Sequence, residues 1–370
     1  MATVTLKNVS AGEIERGLDL TIGDREFAVL CGPIGSGIST VVRLIAGLEE
    51  ASQGDLLFDD RRVNAIPPKD RDVALVANDY VPYPRLSVFE NLAIGLRRRK
   101  FAETEIKKRI GAVASALGLE AELGGNAAQL SREQQLFLGL ARAMVRQPKV
   151  YLFDEPFADL EPAAARRGRA DIVKLHQRSS ATMVYATTAP GEALALGQRT
   201  MVLVDGAVRQ DGIAQNIYNA PANLAVASFF GDPPMNLVPG MLKLEHNVVV
   251  FSEAGDGTIS MPLSADQFAE ANNFVGKPVV LGFRPEDIEI DSAPSDGKQA
   301  VGSFRALVER AEPKGSGADL YLQTGAHAVI ASSQRWGEAG AGGHRVRFRI
   351  KIEKAHLFDP ETGLRVTLEQ

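Results

Sequence analysis

Residues 27–48 constrain the fold of this chain more than any other segment. They begin with the apolar run FAVLC at residues 27–31, continue through a glycine-rich turn at 32–37, and end in an apolar-rich stretch at 39–48. A continuous apolar run of this length is typical of a strand that is buried on both faces of a parallel sheet. A strand, a glycine loop and a helix in this order predict the start of a nucleotide-binding α/β unit.

The rest of the chain predicts two domains. Residues 89–146 have the apolar spacing of helices, and apolar strands follow at residues 149–153 and 182–186. Strands that alternate with helices predict a parallel sheet with helices on its faces. Beyond residue 235 the chain reads as short strands between glycine-rich turns. We therefore predict an α/β domain at residues 1–235, with a helical subdomain at about 89–146, and a β-rich barrel domain at 236–370.

Composition excludes several classes of protein. The chain has 370 residues and a net charge of −5, which argues against a nucleic-acid partner. A single cysteine excludes an intrachain disulfide framework. The N-terminus lacks the pattern of a signal peptide, and no apolar run approaches the ~20 residues that span a bilayer. Any attachment to a membrane is therefore expected to come through a partner.

The glycine-rich turn has the spacing of the phosphate-binding loop G-x-x-x-x-G-K-[ST], with one departure. Glycines let backbone amides point at phosphate, and the following helix adds its positive N-terminal end. Ser39 is placed to give a hydroxyl to Mg²⁺, but Ile38 stands where the motif has lysine. The charge-assisted contact of such a lysine contributes about 1.5–3 kcal/mol to binding. The predicted nucleotide-binding residues are Gly32, Pro33, Ile34, Gly35, Ser36, Gly37, Ile38, Ser39 and Thr40.

A second segment, LFDE at residues 152–155, narrows the alternatives for this loop. Taken alone, the loop is equally compatible with a glycine turn that binds no nucleotide. Taken alone, the two carboxylates are also compatible with an exposed acidic strand end, which is common. Two carboxylates after an apolar strand fit an aspartate that holds Mg²⁺, Asp154, and a glutamate that activates water, Glu155. The two motifs together are much more specific, and they predict ATP and Mg²⁺ as ligands.

With these motifs the chain resembles the ATP-binding subunits of ABC importers, in particular those for maltose-type sugars and glycerol phosphate. The resemblance covers nearly the whole chain, and its supporting stretches are YPRLSVFENL at 83–92, ARAMV at 141–145, DEPFADL at 154–160, LGFRPE at 281–286 and HLFD at 356–359. It implies a P-loop nucleotide-binding domain with a mixed sheet and a helical subdomain. It also implies a second, all-β domain of the OB/TOBE barrel type, similar to the regulatory TOBE/MOP domains of the family.

The resemblance also implies partners and a location. In the family, two such subunits form a dimer in which each ATP lies between one P-loop and the signature sequence of the other subunit. Closure of the dimer moves transmembrane permease subunits, and a periplasmic or extracellular solute-binding protein delivers the cargo. The chain is then expected to be peripheral, on the cytoplasmic face of the inner or plasma membrane, with residues 78–92 forming the docking groove.

Several departures from the family pattern concern ATP. Besides Ile38, Asn78 replaces the glutamine that senses Mg²⁺, and Thr188 replaces the histidine that holds the γ-phosphate and the catalytic water. No aromatic residue lies between positions 9 and 18, where the family places one against adenine. The signature Leu-Ser-Gly-Gly-Gln is also altered, so that a carboxylate stands where amides would approach phosphate. The signature positions are Ser131, Arg132, Glu133 and Gln134.

Loss of one positioned electrostatic group often costs ~10²–10³ in rate, so the loss of both lysine and histidine predicts poor turnover of ATP in this chain's own P-loop. Glu155 remains the candidate general base, and whether the chain acts as an enzyme stays open. Three classes of function remain. The first is a hydrolysis-impaired importer subunit that pairs with an active ATPase subunit. The second is a non-enzymatic scaffold or regulator. The third is a working ATPase with compensating residues, such as Arg132 in trans.

Overall fold

The computed structural model describes residues 2–263, 269–291, 302–334 and 342–366. The chain divides into two compact units, Met1–Ala214 and Gln215–Gln370. The domain boundary expected at residue 235 therefore falls inside the second unit, and it stays a prediction. Of the predicted β-rich domain, residues 264–268, 292–301, 335–341 and 367–370 lie outside the described residues.

Two sheets form the framework of the first unit. Its strands are β1 Val4–Ala11, β2 Ile14–Ile22, β3 Phe27–Cys31, β4 Gln53–Phe58, β5 Arg61–Arg62, β6 Val73–Ala77, β7 Val150–Asp154, β8 Thr182–Thr187, β9 Arg199–Val204 and β10 Ala207–Ile213. An antiparallel sheet has the order β2-β1-β4-β5, and a mixed sheet has the order β10-β9-β3-β8-β7-β6. Every pairing in the mixed sheet is parallel except that between β10 and β9.

Strands β3 and β8 are buried along their whole length, which explains why their sequences are apolar without alternation. Cys31 pairs with Thr187, and Asp154 pairs with Ala186. These registers bring the ends of β3, β7 and β8 to one edge of the sheet. Because ligands bind at the carboxyl ends of strands in such sheets, this edge is where a site is expected. Burial raises the pKa of the Cys31 thiol above its usual range.

Helices cover the mixed sheet and form a separate group between β6 and β7. The helices of the first unit are α1 Ile38–Ala46, α2 Val88–Arg98, α3 Glu103–Leu117, α4 Arg132–Arg146, α5 Pro162–Arg178 and α6 Pro190–Leu196. Capping boxes start two of them, at Ser87 for α2 and at Ser131 for α4. In the described part of the chain, no helix combines the length and the apolar character that a bilayer span requires.

The second unit is mainly β. It begins with two short helices, α7 Ala214–Asn219 and α8 Leu224–Phe229, the first of which starts at the unit boundary. Its strands are β11 Asn236–Glu245, β12 Val248–Glu253, β13 Ser260–Pro262, β14 Pro278–Phe283, β15 Ile288–Ile290, β16 Ser303–Lys314, β17 Gly317–Gln323, β18 Ala328–Ser333, β19 Arg345–Ile350 and β20 His356–Phe358. Among the described residues they form two antiparallel sheets, ordered β13-β12-β11-β14-β20 and β15-β19-β16-β17-β18. Both sheets contribute to one apolar core that includes Phe251, Phe283 and Phe348.

One buried arginine fixes the C-terminal end of α1. Arg71 is 6% exposed, and its guanidinium donates to the carbonyl oxygens of Ile66 at 2.7 Å and Leu44 at 2.6 Å. The Leu44 carbonyl belongs to the last turn of α1, where carbonyls lack partners within the helix. The arginine therefore satisfies buried acceptors and ties the end of α1 to the segment before β6.

We predict that Arg71→Met lowers the free energy of unfolding by about 2–3 kcal/mol, because the Ile66 and Leu44 carbonyls lose the guanidinium as a donor and Leu44 keeps only the Gly47 amide. Arg61→Met is the matched control, since Arg61 is exposed and a surface change of this kind is expected to stay within about 0.5 kcal/mol. Urea denaturation of both variants measures the difference. Equal stability of the two variants would show that Arg71 does not hold α1.

Candidate functional site

The glycine loop leaves β3, curls back and starts α1. Gly35 and Gly37 have φ of 80° and 91°, a left-handed conformation that glycine adopts without strain. Gly37 is the N-cap of α1, and a Cβ there would lie 2.9 Å from Cγ1 of Ile14. A Cβ on Gly32 would lie 2.3 Å from the carbonyl oxygen of Leu203. The close approach of neighbouring strands therefore requires glycine at two of these positions.

The loop surrounds a small cavity of about 160 Å³. Its lining joins the loop to residues from three other parts of the first unit. The lining residues are Glu13, Pro33, Ile34, Gly35, Ser36, Gly37, Ile38, Ser39, Thr40, Glu155 and Thr188.

The two residues that the sequence assigned to Mg²⁺ are in direct contact. The Ser39 hydroxyl donates to Oδ1 of Asp154 at 2.8 Å. Burial raises the pKa of Asp154, and the Ser39 hydrogen bond opposes that rise. A hydroxyl and a carboxylate are ligand types that Mg²⁺ prefers. The buried Oγ of Ser36 has no partner among the described residues, as expected for a donor that a phosphate oxygen could accept from. The backbone and these polar groups therefore fit a magnesium-bound phosphate.

Glu155 and Thr188 form a second contact at the same edge. The Glu155 amide donates to the carbonyl oxygen of Ala186 at 3.0 Å, and the residue has a φ of 45°. Oε1 of Glu155 accepts from the Thr188 amide at 2.9 Å and from its hydroxyl at 2.5 Å. The residue in the family's histidine position therefore binds the candidate base directly. These bonds hold the carboxylate in place and occupy one of its two oxygens.

Ile38 is part of the apolar core as well as of the cavity wall. Its side chain is 4% exposed and belongs to the same buried cluster as Ile14 and Leu152. Among the described residues, none of those lining the cavity is a lysine, an arginine or a histidine, whereas Glu13 and Glu155 are carboxylates. The side chains of the cavity wall therefore carry the same sign of charge as a triphosphate and do not attract it. The backbone of the loop, in contrast, is shaped to bind phosphate.

The signature residues lie elsewhere in the single chain. Ser131 caps α4 together with Gln134, and Glu133 forms a 2.7 Å ion pair with Arg167. Ser131, Glu133 and Gln134 line a separate cavity of about 690 Å³. Such a separation is expected of residues that act across a dimer.

Two further predicted positions also lie away from the P-loop cavity. The Arg132 guanidinium donates to the carbonyl oxygens of Tyr80, at 3.0 Å, and Asn78. Nδ2 of Asn78 lies 3.5 Å from Oδ2 of Asp159, and within the described residues Asn78 does not border the cavity. The structure thus brings the loop, Asp154, Glu155 and Thr188 together and leaves the signature and Asn78 apart.

Comparisons with known proteins identify the family. The chain is 37% identical over 348 residues to the oligosaccharides import ATP-binding protein MsmX of Bacillus subtilis, with 94% of this chain and 93% of that protein covered. It is 35% identical over 378 residues to the sn-glycerol-3-phosphate import ATP-binding protein UgpC of Bordetella pertussis, with 99% of each covered. The chain belongs to the ATP-binding subunits of ABC transporters.

Domain models and solved structures agree with this assignment. As an ABC ATP-binding subunit, the chain matches the ABC transporter model over residues 16–158, the MalK OB fold domain over 231–288 and the TOBE domain over 281–358. An ATP-binding cassette of an ABC transporter in its ADP conformation covers 60% of this chain, with a TM-score of 0.53 and 22% identity. That likeness shows the fold. The predicted fold class, a P-loop domain followed by OB and TOBE domains, is confirmed.

Glu13 lines the cavity of this ABC subunit, although no motif in its sequence predicts that position. Glu13 lies in the turn between β1 and β2, and Oε2 of its carboxylate accepts a hydrogen bond from the Thr40 hydroxyl. The only signal in the sequence was indirect, since this region lacks the aromatic residue of the family. A contact between residues 27 positions apart depends on how the hairpin packs against α1, which no local pattern reveals.

We predict that Ile38→Ala lowers the free energy of unfolding by about 2–4 kcal/mol, because it leaves a cavity in the core. Ile34→Ala is the matched control, since Ile34 lies in the same loop but is 92% exposed. Its effect is expected to stay within about 0.5 kcal/mol. Chemical denaturation of both variants is the measurement, and a small loss for Ile38→Ala would contradict the placement of Ile38 in the core.

Proposed function

We propose that this chain is the nucleotide-binding subunit of an ABC importer for sugars or related solutes. It hydrolyses ATP poorly in its own P-loop and works beside an active ATPase subunit. The observation that carries this proposal is the buried Ile38 side chain, which gives the P-loop cavity an apolar wall in place of an ammonium group. Permease subunits and a solute-binding protein complete the importer, and the chain sits at the cytoplasmic face of the membrane.

The relatives support the class of cargo. MsmX is named for oligosaccharide import and UgpC for glycerol-3-phosphate import, and each aligns with more than nine-tenths of this chain. We therefore infer a cargo of the same class, a sugar or a related solute.

The residues of the P-loop cavity support binding better than catalysis. Loop amides and the N-terminus of α1 are suited to phosphate, and Ser39 with Asp154 to the Mg²⁺ that neutralises it. A hydroxyl at Thr188 does not replace an imidazole, and it already binds Glu155. Each missing electrostatic group often costs ~10²–10³ in rate, so the two losses together suppress turnover.

The signature face supports the pairing. Ser131 and Gln134 are retained at the start of α4, where Ser131 is exposed and accessible to a nucleotide held by a partner subunit. Arg167 pairs with the carboxylate of Glu133, which opposes the negative charge at that position. The guanidinium of Arg132 binds carbonyl groups of its own subunit, which disfavours a compensating role for it in trans.

We expect the purified chain alone to hydrolyse ATP at no more than about one-hundredth of the rate of a complex with an intact ATPase subunit, because the partner's P-loop supplies the missing groups. The measurement is copurification with candidate partner subunits and ATPase assay of each assembly. Rapid turnover by the chain alone would refute the proposal that its hydrolysis is impaired. Failure to bind any ATPase subunit would favour the alternative function, a non-enzymatic scaffold or regulator.

In the mixed complex, Ser131→Arg is expected to reduce ATPase by about 10² or more, since it places bulk and charge where the partner's nucleotide approaches. Ser180→Arg is the control, because Ser180 is exposed after α5 and lies outside both cavities among the described residues. Equal activity of the two complexes would show that this chain's signature serves no nucleotide.

Restoring the two missing groups gives a complementary test in the chain alone. Ile38→Lys combined with Thr188→His changes a core position, so circular dichroism first verifies that the variant is folded. The folded variant is expected to raise ATPase of the isolated chain by about 10² or more, because both groups act on the transition state. Adding Glu155→Gln to this double variant should abolish the gain. A double variant that binds MgATP but shows no gain would mean that the defect lies elsewhere.

A further inference from the structure

The turn between β1 and β2 lies directly against the phosphate-binding loop. Ala11 and Ile14 pair across it, so Gly12 and Glu13 form a two-residue turn. A Cβ on Gly12 would lie 3.2 Å from Oγ1 of Thr40, and a Cβ on Gly37 would lie 3.9 Å from Cβ of Glu13. The turn is therefore packed against both the N-cap and the first turn of α1.

From this position the Glu13 side chain reaches into the cavity. Its carboxylate accepts a hydrogen bond from the hydroxyl of Thr40, which is only 6% exposed. The Thr40 bond lowers the pKa of Glu13, so the carboxylate is ionised near neutral pH. An anion thus already binds one of the few hydroxyl donors in the cavity wall.

Other charges near the loop do not offset this anion. Glu155 also lines the cavity, and Asp154 contacts Ser39 beside it. Arg43 on α1 pairs with Glu49 at 3.7 Å, and within the described residues it does not border the cavity. A phosphate group that enters the loop therefore meets the exposed Glu13 carboxylate with no lysine, arginine or histidine beside it among the described lining residues, and the two negative charges repel.

We propose that Glu13 sets the nucleotide affinity of this P-loop: its carboxylate competes with nucleotide phosphate for the Thr40 hydroxyl and the start of α1, and keeps the loop largely free of ATP. The inference rests on the proposed nucleotide-binding role of the loop and is independent of whether the chain hydrolyses ATP. The isolated chain is then expected to have a low affinity for nucleotide, and the charge of Glu13 controls that affinity.

Equilibrium binding to the full chain tests this proposal. The variants are Glu13→Gln, which keeps size but removes charge, and Glu13→Ala, which removes the competing group. Glu15→Gln is the matched control, since Glu15 is an exposed glutamate on β2 that does not line the cavity in the described structure. The probes are MgATP and inorganic tripolyphosphate, measured by calorimetry, with circular dichroism to verify that each variant is folded.

Both Glu13 variants are expected to bind MgATP at least about tenfold more tightly than the wild type, the size of one charge-assisted contact, with Glu15→Gln unchanged. Tripolyphosphate should show the same gain, because the competition concerns phosphate and not the base. Unchanged affinity in both Glu13 variants, or an equal gain in Glu15→Gln, would overturn the proposal. Turnover is measured separately, so tighter binding in a chain that hydrolyses ATP rapidly would sink the proposed function and leave this inference standing.

Discussion

Parallel pairing of β3, β8 and β7 is the constraint on which the site depends. Cys31 pairs with Thr187 and Asp154 pairs with Ala186, so the carboxyl ends of the three strands lie side by side. Groups that are more than 100 positions apart in the sequence, such as Ser39 and Asp154, therefore come within hydrogen-bond distance. The burial that makes these strands apolar also makes the register hard to shift, because a slip would expose apolar residues and bury carboxylates.

The same edge shows a division between backbone and side chains. The backbone of the loop is shaped by glycines that neighbouring strands require, so it keeps its form whatever residue occupies position 38. The side chains that give charge to such a loop are not under this packing constraint. Ile38 packs into the core beneath α1. Because it stands where the motif has lysine, the core gains an apolar side chain and the cavity wall lacks a cation. Fold and chemistry can therefore diverge within one loop.

The parts of the structure that could be predicted from sequence are those with local signals. The apolar run before Gly32, the carboxylates after Phe153 and the serine that caps α4 each have a pattern within a few residues. The hydrogen bond between Glu13 and Thr40 and the arginine that caps α1 connect distant segments, and neither has a local pattern. The direction of the Ile38 side chain also depends on the packing of β2 against α1. Secondary structure therefore leaves a pattern in the sequence of this chain, and long-range packing does not.

The single cysteine of this chain offers an experimental advantage. Cys31 is fully buried at the end of β3, and burial raises the pKa of its thiol, so little reactive thiolate forms near neutral pH. Maleimide or nitroxide reagents are consequently expected not to react with Cys31. A cysteine introduced on the exposed face of α3 or in the second unit can then carry a label without background, and the approach of a second subunit can be followed as a distance in the intact assembly.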